Sequence, residues 1–373
     1  MKIRRKIILG IITLMLLAVT FTSTTYAWFK LNSHAGVDFE FKVNGGLGFL
    51  VSVDNENYSN SLSKEQLIMS YYHRLNPETT WKDRKLYKDD IEITNDELLT
   101  AFNSIELYPV SSSNGKEFKD LYGSTFSVNS GRYIEFDVYF KATSAEITDN
   151  FKYNIYLSLN DQIDDRTGEI IPNTKTTITS QTAYVELKTE MKTWKQTALS
   201  ERPGFVKVDS SNALRLSALR YDIETVVDEE TNEEIKNYNP QESATIFELS
   251  NENDLGSYAT DYNKDQALTI ENLTDLDKLY NSNFNAMYTY YNKRRPTSSL
   301  ETRLLKYEEK PNSLRDTNQI ENTILTTVSS GGNSQKLTFR IWQEGWDADC
   351  FDGLAESINV RLSFHAKIAE NDN

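Results

Sequence analysis

Apolar and polar residues alternate with a period of two along several stretches of this chain. Val37, Phe39, Phe41 and Val43 are interleaved with Asp38, Glu40 and Lys42. Ile134, Phe136, Val138 and Phe140 are interleaved with Glu135, Asp137, Tyr139 and Lys141, and Tyr153, Ile155, Leu157 and Leu159 with Asn154, Tyr156 and Ser158. Towards the C-terminus Leu337, Phe339 and Ile341 alternate with Thr338 and Arg340, and Ile358, Val360, Leu362 and Phe364 with Asn359, Arg361, Ser363 and His365. One apolar and one polar face is what a half-buried antiparallel strand requires. Weaker strands run through Tyr184 to Leu187 and Leu214 to Ile223. Such strands, joined by polar connections, predict a mainly β chain folded as an antiparallel β-sandwich.

Helices decorate this framework as insertions. Ser63-Lys64-Glu65-Gln66 has the capping-box pattern, in which the Ser hydroxyl and the Gln side chain satisfy free amides reciprocally. Thr94-Asn95-Asp96-Glu97 repeats it before Leu98, Leu99 and Phe102. A third helix is expected from Thr274, with Leu276, Leu279, Tyr280, Met287 and Tyr291 on one face and Lys293, Arg294 and Arg295 completing its C-terminal end. The expected organisation is a leader at 1–27, a sandwich built from 28–226 and 333–373, and a mixed insertion or subdomain at 227–332. The acidic run Asp228 to Glu234 reads as a hairpin tip, and Ser329 to Ser334 as a joint leading back into the sheet.

Charge and cysteine usage remove several function classes. Lys and Arg number 40 against 55 Asp and Glu, a net −15. No basic stripe offsets this, so nucleic acid is not an expected partner. A single cysteine, Cys350, excludes an internal disulfide framework and a CxxC zinc site. The chain lacks HExxH, GxSxG and GxxxxGK[ST], so no enzyme activity and no cofactor are expected. Asp347, Asp349 and Asp352, in the run before Gly353, resemble an incomplete calcium loop. The competing reading is a turn whose acids are solvated or cap backbone amides. Trp342 and Trp346 flank the end of a predicted strand beside Gly345. They are either a platform for stacking on sugar rings or a plug for the end of the sandwich.

The N-terminus carries the most specific signal. Lys2, Arg4, Arg5 and Lys6 precede an apolar run from Ile7 to Phe21, and small residues stand at Thr25 and Ala27. This is the layout of a secretory signal peptide. The run, about 15 residues, falls short of the roughly 20 a bilayer crossing needs; the alternative is an uncleaved membrane anchor. The C-terminal run Ala369 to Asn373 is polar, without a sorting motif before it, so non-covalent retention at a surface is expected.

Thr25-Tyr26-Ala27-Trp28-Phe29, after the basic-apolar leader, resembles the T-Y-A-[YFW]-F junction of proteins processed by the SipW-type signal peptidase. The first 45 or so residues resemble the TasA/camelysin group of Gram-positive exported proteins. That resemblance implies a jelly-roll-like sandwich, a cell-surface or secreted location and a role among biofilm-matrix fibre subunits; some members of the group are classed as metallopeptidases. This chain departs from the pattern in its greater length and in Lys30-Leu31-Asn32 after Phe29. The run Phe339 to Cys350 also resembles exported Firmicutes proteins. A chain starting at Trp28-Phe29 must hide both rings, and the segment Val37 to Val43 is a terminal strand able to pair with its own sheet or a neighbour's edge. Head-to-tail pairing of that kind does not close and gives filaments. The expected function is a secreted structural subunit associating with itself or other matrix proteins through Trp28, Phe29, Val37, Phe39, Phe41 and Val43. A monomeric glycan-binding module and an exported metal-dependent hydrolase are the alternatives.

Overall fold

The computed structural model describes residues 38–43, 49–103, 105, 107, 110–119, 124–143, 151–163, 167–172, 174–179, 182–186, 205–227, 234–249, 311–344 and 358–369. Thirteen strands build its two principal sheets: β1 (Asp38–Val43), β2 (Phe49–Ser52), β3 (Ser61–Leu62), β4 (Ile134–Ala142), β5 (Lys152–Leu157), β6 (Thr177–Thr179), β7 (Leu214–Val227), β8 (Glu234–Pro240), β9 (Thr245–Glu248), β10 (Asn312–Ser313), β11 (Thr326–Ser329), β12 (Gln335–Gln343) and β13 (Asn359–Ile368). The first sheet runs β11-β5-β13-β1-β3, with β6 also on β13. The second runs β10-β9-β7-β12-β4-β2, with β8 also on β7. Pairings are antiparallel except β1 with β13 and β9 with β10, which are parallel.

The alternation read from the sequence becomes the core. Phe136, Val138 and Phe140 of β4 and Leu337, Phe339 and Ile341 of β12 are buried from one sheet, and Val360, Leu362 and Phe364 of β13 from the other. Phe364 bridges the layers, its ring centroid 5.5 Å from Phe140 and 5.6 Å from Phe339. Burying each such ring is worth about 2–3 kcal/mol against leaving it in water, so this layer holds the sheets face to face. The mainly β sandwich with helical insertions is the observed fold.

Both predicted capping boxes form. Helix α1 (Lys64–Leu75) starts with Gln66 N–H donating to Ser63 Oγ at 3.3 Å and Ser63 N–H donating to Gln66 Oε1 at 2.8 Å. Helix α2 (Asn95–Asn103) repeats the exchange between Thr94 and Glu97. A short α3 (Thr317–Glu321) was not anticipated; Asp316 caps it. The helix expected from Thr274 lies outside the described residues.

Helix α1 protects a sheet edge. Strand β2 pairs with β4 only from Tyr139 to Ala142, and among the described residues no other strand pairs with the earlier half of β4 on that side. Ser70 fills the gap: its hydroxyl accepts from Asp137 N–H and donates to Asp137 C=O, both at 2.9 Å. A buried edge left unpaired would cost the desolvation of both groups, so the small hydroxyl replaces a missing strand.

Strands from within the expected 227–332 insertion are woven into both sheets. β9 pairs with β7 of the second sheet, and β11 pairs with β5 of the first. Strand β7 extends past the expected Ile223 to Val227, and there β8 pairs with it as an exposed hairpin. Thr182–Glu186, close to the weak strand expected at Tyr184 to Leu187, pairs with Phe205–Asp209. A separate three-stranded meander, Thr80–Lys82, Lys85–Lys88 and Ile91–Glu92, turns tightly at Asp83-Arg84 and Asp89-Asp90. These four non-glycine residues adopt positive φ of 51°, 65°, 50° and 63°, the geometry of mirror-image hairpin turns.

Candidate functional site

Strand β1 occupies a slot between β13 and β3. In its register Phe39 stands opposite Val360, Phe41 opposite Leu362 and Val43 opposite Phe364, so the apolar alternations of the two strands are in phase. On the intervening positions Asp38, Glu40 and Lys42 stand opposite Asn359, Arg361 and Ser363. Leu62 and Ser61 of β3 flank Phe41 and Lys42 on the other edge. Parallel neighbours cannot be joined by a tight turn, and here nearly the whole chain separates β1 from β13. The sequence leaves β1 through Asn44-Gly45-Gly46-Leu47-Gly48 and enters β2 of the opposite sheet. Pairing, not a connecting hairpin, therefore determines where β1 lies. Of the predicted assembly residues, Phe39, Phe41 and Val43 are brought together by this slot, while Trp28, Phe29 and Val37, and Thr25, Tyr26 and Ala27 of the cleavage site, lie outside the described residues.

Trp342 is fully buried, which removes it from the stacking platform considered above. Its ring meets Phe118 edge-on at 5.1 Å, and its Nε1–H donates to Glu344 Oε2 at 3.3 Å. The segment carrying Phe118 covers the outer face of β12, where Val110 N–H donates to Gln343 C=O at 3.1 Å, and Phe118 itself stacks on Tyr133 at 4.1 Å. Cover from a segment distant in sequence makes this indole a packed residue, the alternative reading of the pair. Trp346 and the turn acids Asp347, Asp349 and Asp352 lie outside the described residues.

The same outer face holds a charge network that alternation alone assigned to solvent. Glu135, Asp137, Thr338 and Arg340 are buried. Arg74, from α1, donates through Nε to Glu135 Oε1 at 2.6 Å, and Arg340 Nε donates to Glu135 Oε2. Lys336 Nζ lies 2.8 Å from Asp137 Oδ2, Arg74 3.7 Å from the same oxygen, and the Thr338 hydroxyl donates to Asp137 Oδ1. Burial alone would raise the Asp137 carboxyl; Lys336, Arg74 and the hydrogen bonds outweigh it and hold the group below the usual carboxylate range. Lys336 in turn lies 4.7 Å from the Tyr221 ring centroid and 5.9 Å from those of Tyr139 and Tyr238. Signals for this network existed in retrospect: Glu135 and Asp137 on one strand stand near Arg340 and Thr338 on its neighbour.

Chemically the network is a clamp. Its carboxylates are taken up by three cations and a hydroxyl, so they bind α1 to the sheet and leave no base poised for proton transfer. His73 pairs through Nδ1 with Thr79 Oγ1 at 2.8 Å and packs edge-on against Trp81; burial pushes its pKa down. His365 stacks on Tyr156 at 5.4 Å on the other sheet, likewise shifted down by burial and by Lys367. Among the described residues no group of three or more His, Cys, Asp or Glu is arranged to hold a metal ion. None of their helices is long and apolar enough to cross a membrane; the run from Ile7 to Phe21 lies outside them. No family model, curated protein or solved structure matches this chain.

Proposed function

We propose that this chain is an exported, non-catalytic structural subunit of an extracellular or cell-surface assembly, joined to its neighbours through its N-terminal strand. The observation that carries the reading is the placing of β1: a six-residue strand, the first among the described residues, held in its sheet between β13 and β3 and parallel to a strand from the far end of the chain. A strand held that way and followed by a glycine-rich linker can leave its own slot for that of the next molecule. The vacated edge of β13, with Val360, Leu362 and Phe364 in the core beside it, is then open to the strand of another copy. Each copy then gives one strand and receives one, a head-to-tail arrangement that propagates as a filament. The basic-apolar leader with its Thr25-Tyr26-Ala27 junction supports export before assembly, with a signal peptidase as a transient partner and the membrane involved only through the leader. No cofactor enters this role.

Deleting residues 28–43 tests it. Export of a shortened, folded protein that forms no polymer on electron micrographs is the expected outcome, and polymers indistinguishable from those of the intact protein would refute it. The glycan-module alternative loses half of its aromatic platform with the burial of Trp342.

A further inference from the structure

We infer that charge determines which strand the slot accepts and in which register: Arg361 of β13 recognises Glu40 of β1, and the occupant it selects is the N-terminal strand of a second copy of this chain. This rests on the reading of β1 as the assembly strand and adds the residue pair that makes it selective.

The apolar faces cannot settle the register by themselves. Phe39, Phe41 and Val43 repeat every second residue, as do Ile358, Val360, Leu362 and Phe364, so a slip of two positions keeps apolar residues opposite one another. The polar positions break this degeneracy. In the observed register Glu40 stands opposite Arg361 and Lys42 opposite the neutral Ser363. A slip of two towards the start of β13 would put Lys42 opposite Arg361, like charge against like. The reverse slip would put Asp38 opposite Arg361, so a charge pair survives there, but it moves Lys42 to His365 beside Lys367, and Val43 past Phe364 to Ala366, near the end of the core. Charge thus rejects the slip towards the start of β13, and the shortened apolar match rejects the other. Only the observed register pairs Glu40 with Arg361 while Phe39, Phe41 and Val43 stand opposite Val360, Leu362 and Phe364.

The slot as a whole has the matching sign. Strand β13 contains Arg361, His365 and Lys367 and no carboxylate, in a chain whose net charge is −15. Strand β1 has two acids among its three polar positions. An arriving copy therefore presents an acidic, alternating ribbon to a strand whose charges attract it, while the acidic character of the chain as a whole discourages other contacts. Opposite charges across a strand pair stabilise and like charges destabilise by comparable amounts.

The test is a charge exchange on the protein as exported by a host that processes it. E40R and R361E are made singly and together, and the critical concentration for polymerisation is measured by sedimentation. Each single variant should need roughly tenfold more protein to polymerise, the upper range of replacing attraction by repulsion at one cross-strand position. An equimolar mixture of the two should polymerise like the wild type, because every junction in an alternating filament again joins opposite charges. A misfolded variant could not be rescued this way. Single variants that polymerise like the wild type overturn the inference. So does a mixture no better than its parts when the double variant recovers, since the pair would then act only within one molecule. If the wild type itself forms no polymer, the assembly reading falls along with the inference, a distinct result.

Discussion

Replacing Glu135 by Gln removes the one carboxylate shared by two arginines. Arg340 has a side chain only 6% exposed and Arg74 one 29% exposed, so the two cations differ in how readily water can compensate them. Before the change, three cations (Arg74, Arg340, Lys336) face two carboxylates (Glu135, Asp137); afterwards they face one. Arg74 can turn towards Asp137, already 3.7 Å away, or towards solvent. Arg340 has neither escape, and breaking a buried pair by removing one partner costs about 3–5 kcal/mol. The expected loss for E135Q is therefore about 3 kcal/mol, the lower end, because the amide still offers an acceptor. Adding Arg340→Met removes the stranded cation, so the double variant should be more stable than E135Q alone by about 1–2 kcal/mol. Urea unfolding followed by tryptophan fluorescence reads all three proteins. An E135Q protein within about 0.5 kcal/mol of wild type, the range of ordinary surface changes, or a double variant less stable than E135Q, would show that the network is not the clamp described here.

Three further outcomes follow from named contacts. Asp137 is held below its unfolded pKa, so the folded form binds its proton more weakly than the unfolded form does; the stability this gives is fully present above the ordinary carboxylate range and is lost as pH falls below that range and through the lower pKa of the folded form. D137N should flatten that acid limb in a stability–pH series, and an unchanged limb would contradict the assignment. Ser70→Ala strips the hydroxyl that both accepts from and donates to the Asp137 backbone, and should cost about 1–3 kcal/mol in the same unfolding assay, with no change meaning that the edge finds other partners. Arg84→Gly and Asp90→Gly relieve left-handed backbone in the two meander turns, and each should raise stability by about 0.5–1 kcal/mol, seen as a higher melting temperature; a lower one would mean that those side chains matter more than the strain.

Much of the sandwich was legible because strand periodicity is a local property. Ile134 to Lys141 and Leu337 to Ile341 show which residues face the core without reference to anything distant. The capping boxes at Ser63 and Thr94 were equally local, each closing within four residues. The charge network escaped because alternation reports two faces but not what covers the second one. Arg74 lies 61 residues from Glu135, and Arg340 lies 205 from it. Trp342 shows the same limit, since its burial depends on Phe118. The slot for β1 was half visible: the strand and its apolar face could be read, but not its partner.

For this protein the sequence by itself determined the long alternating strands β4, β5, β12 and β13 with their inward residues, the existence of β1, the two helix starts and the acidic, single-cysteine composition. All of these depend on neighbours a few positions away or on simple totals. Tertiary structure alone decided that β1 runs parallel to β13, that α1 closes the edge of β4, and that the outer face of β12 is covered. Those outcomes arise from pairings between segments up to some three hundred residues apart, where the gain comes from surfaces meeting in space and no short-range pattern records it.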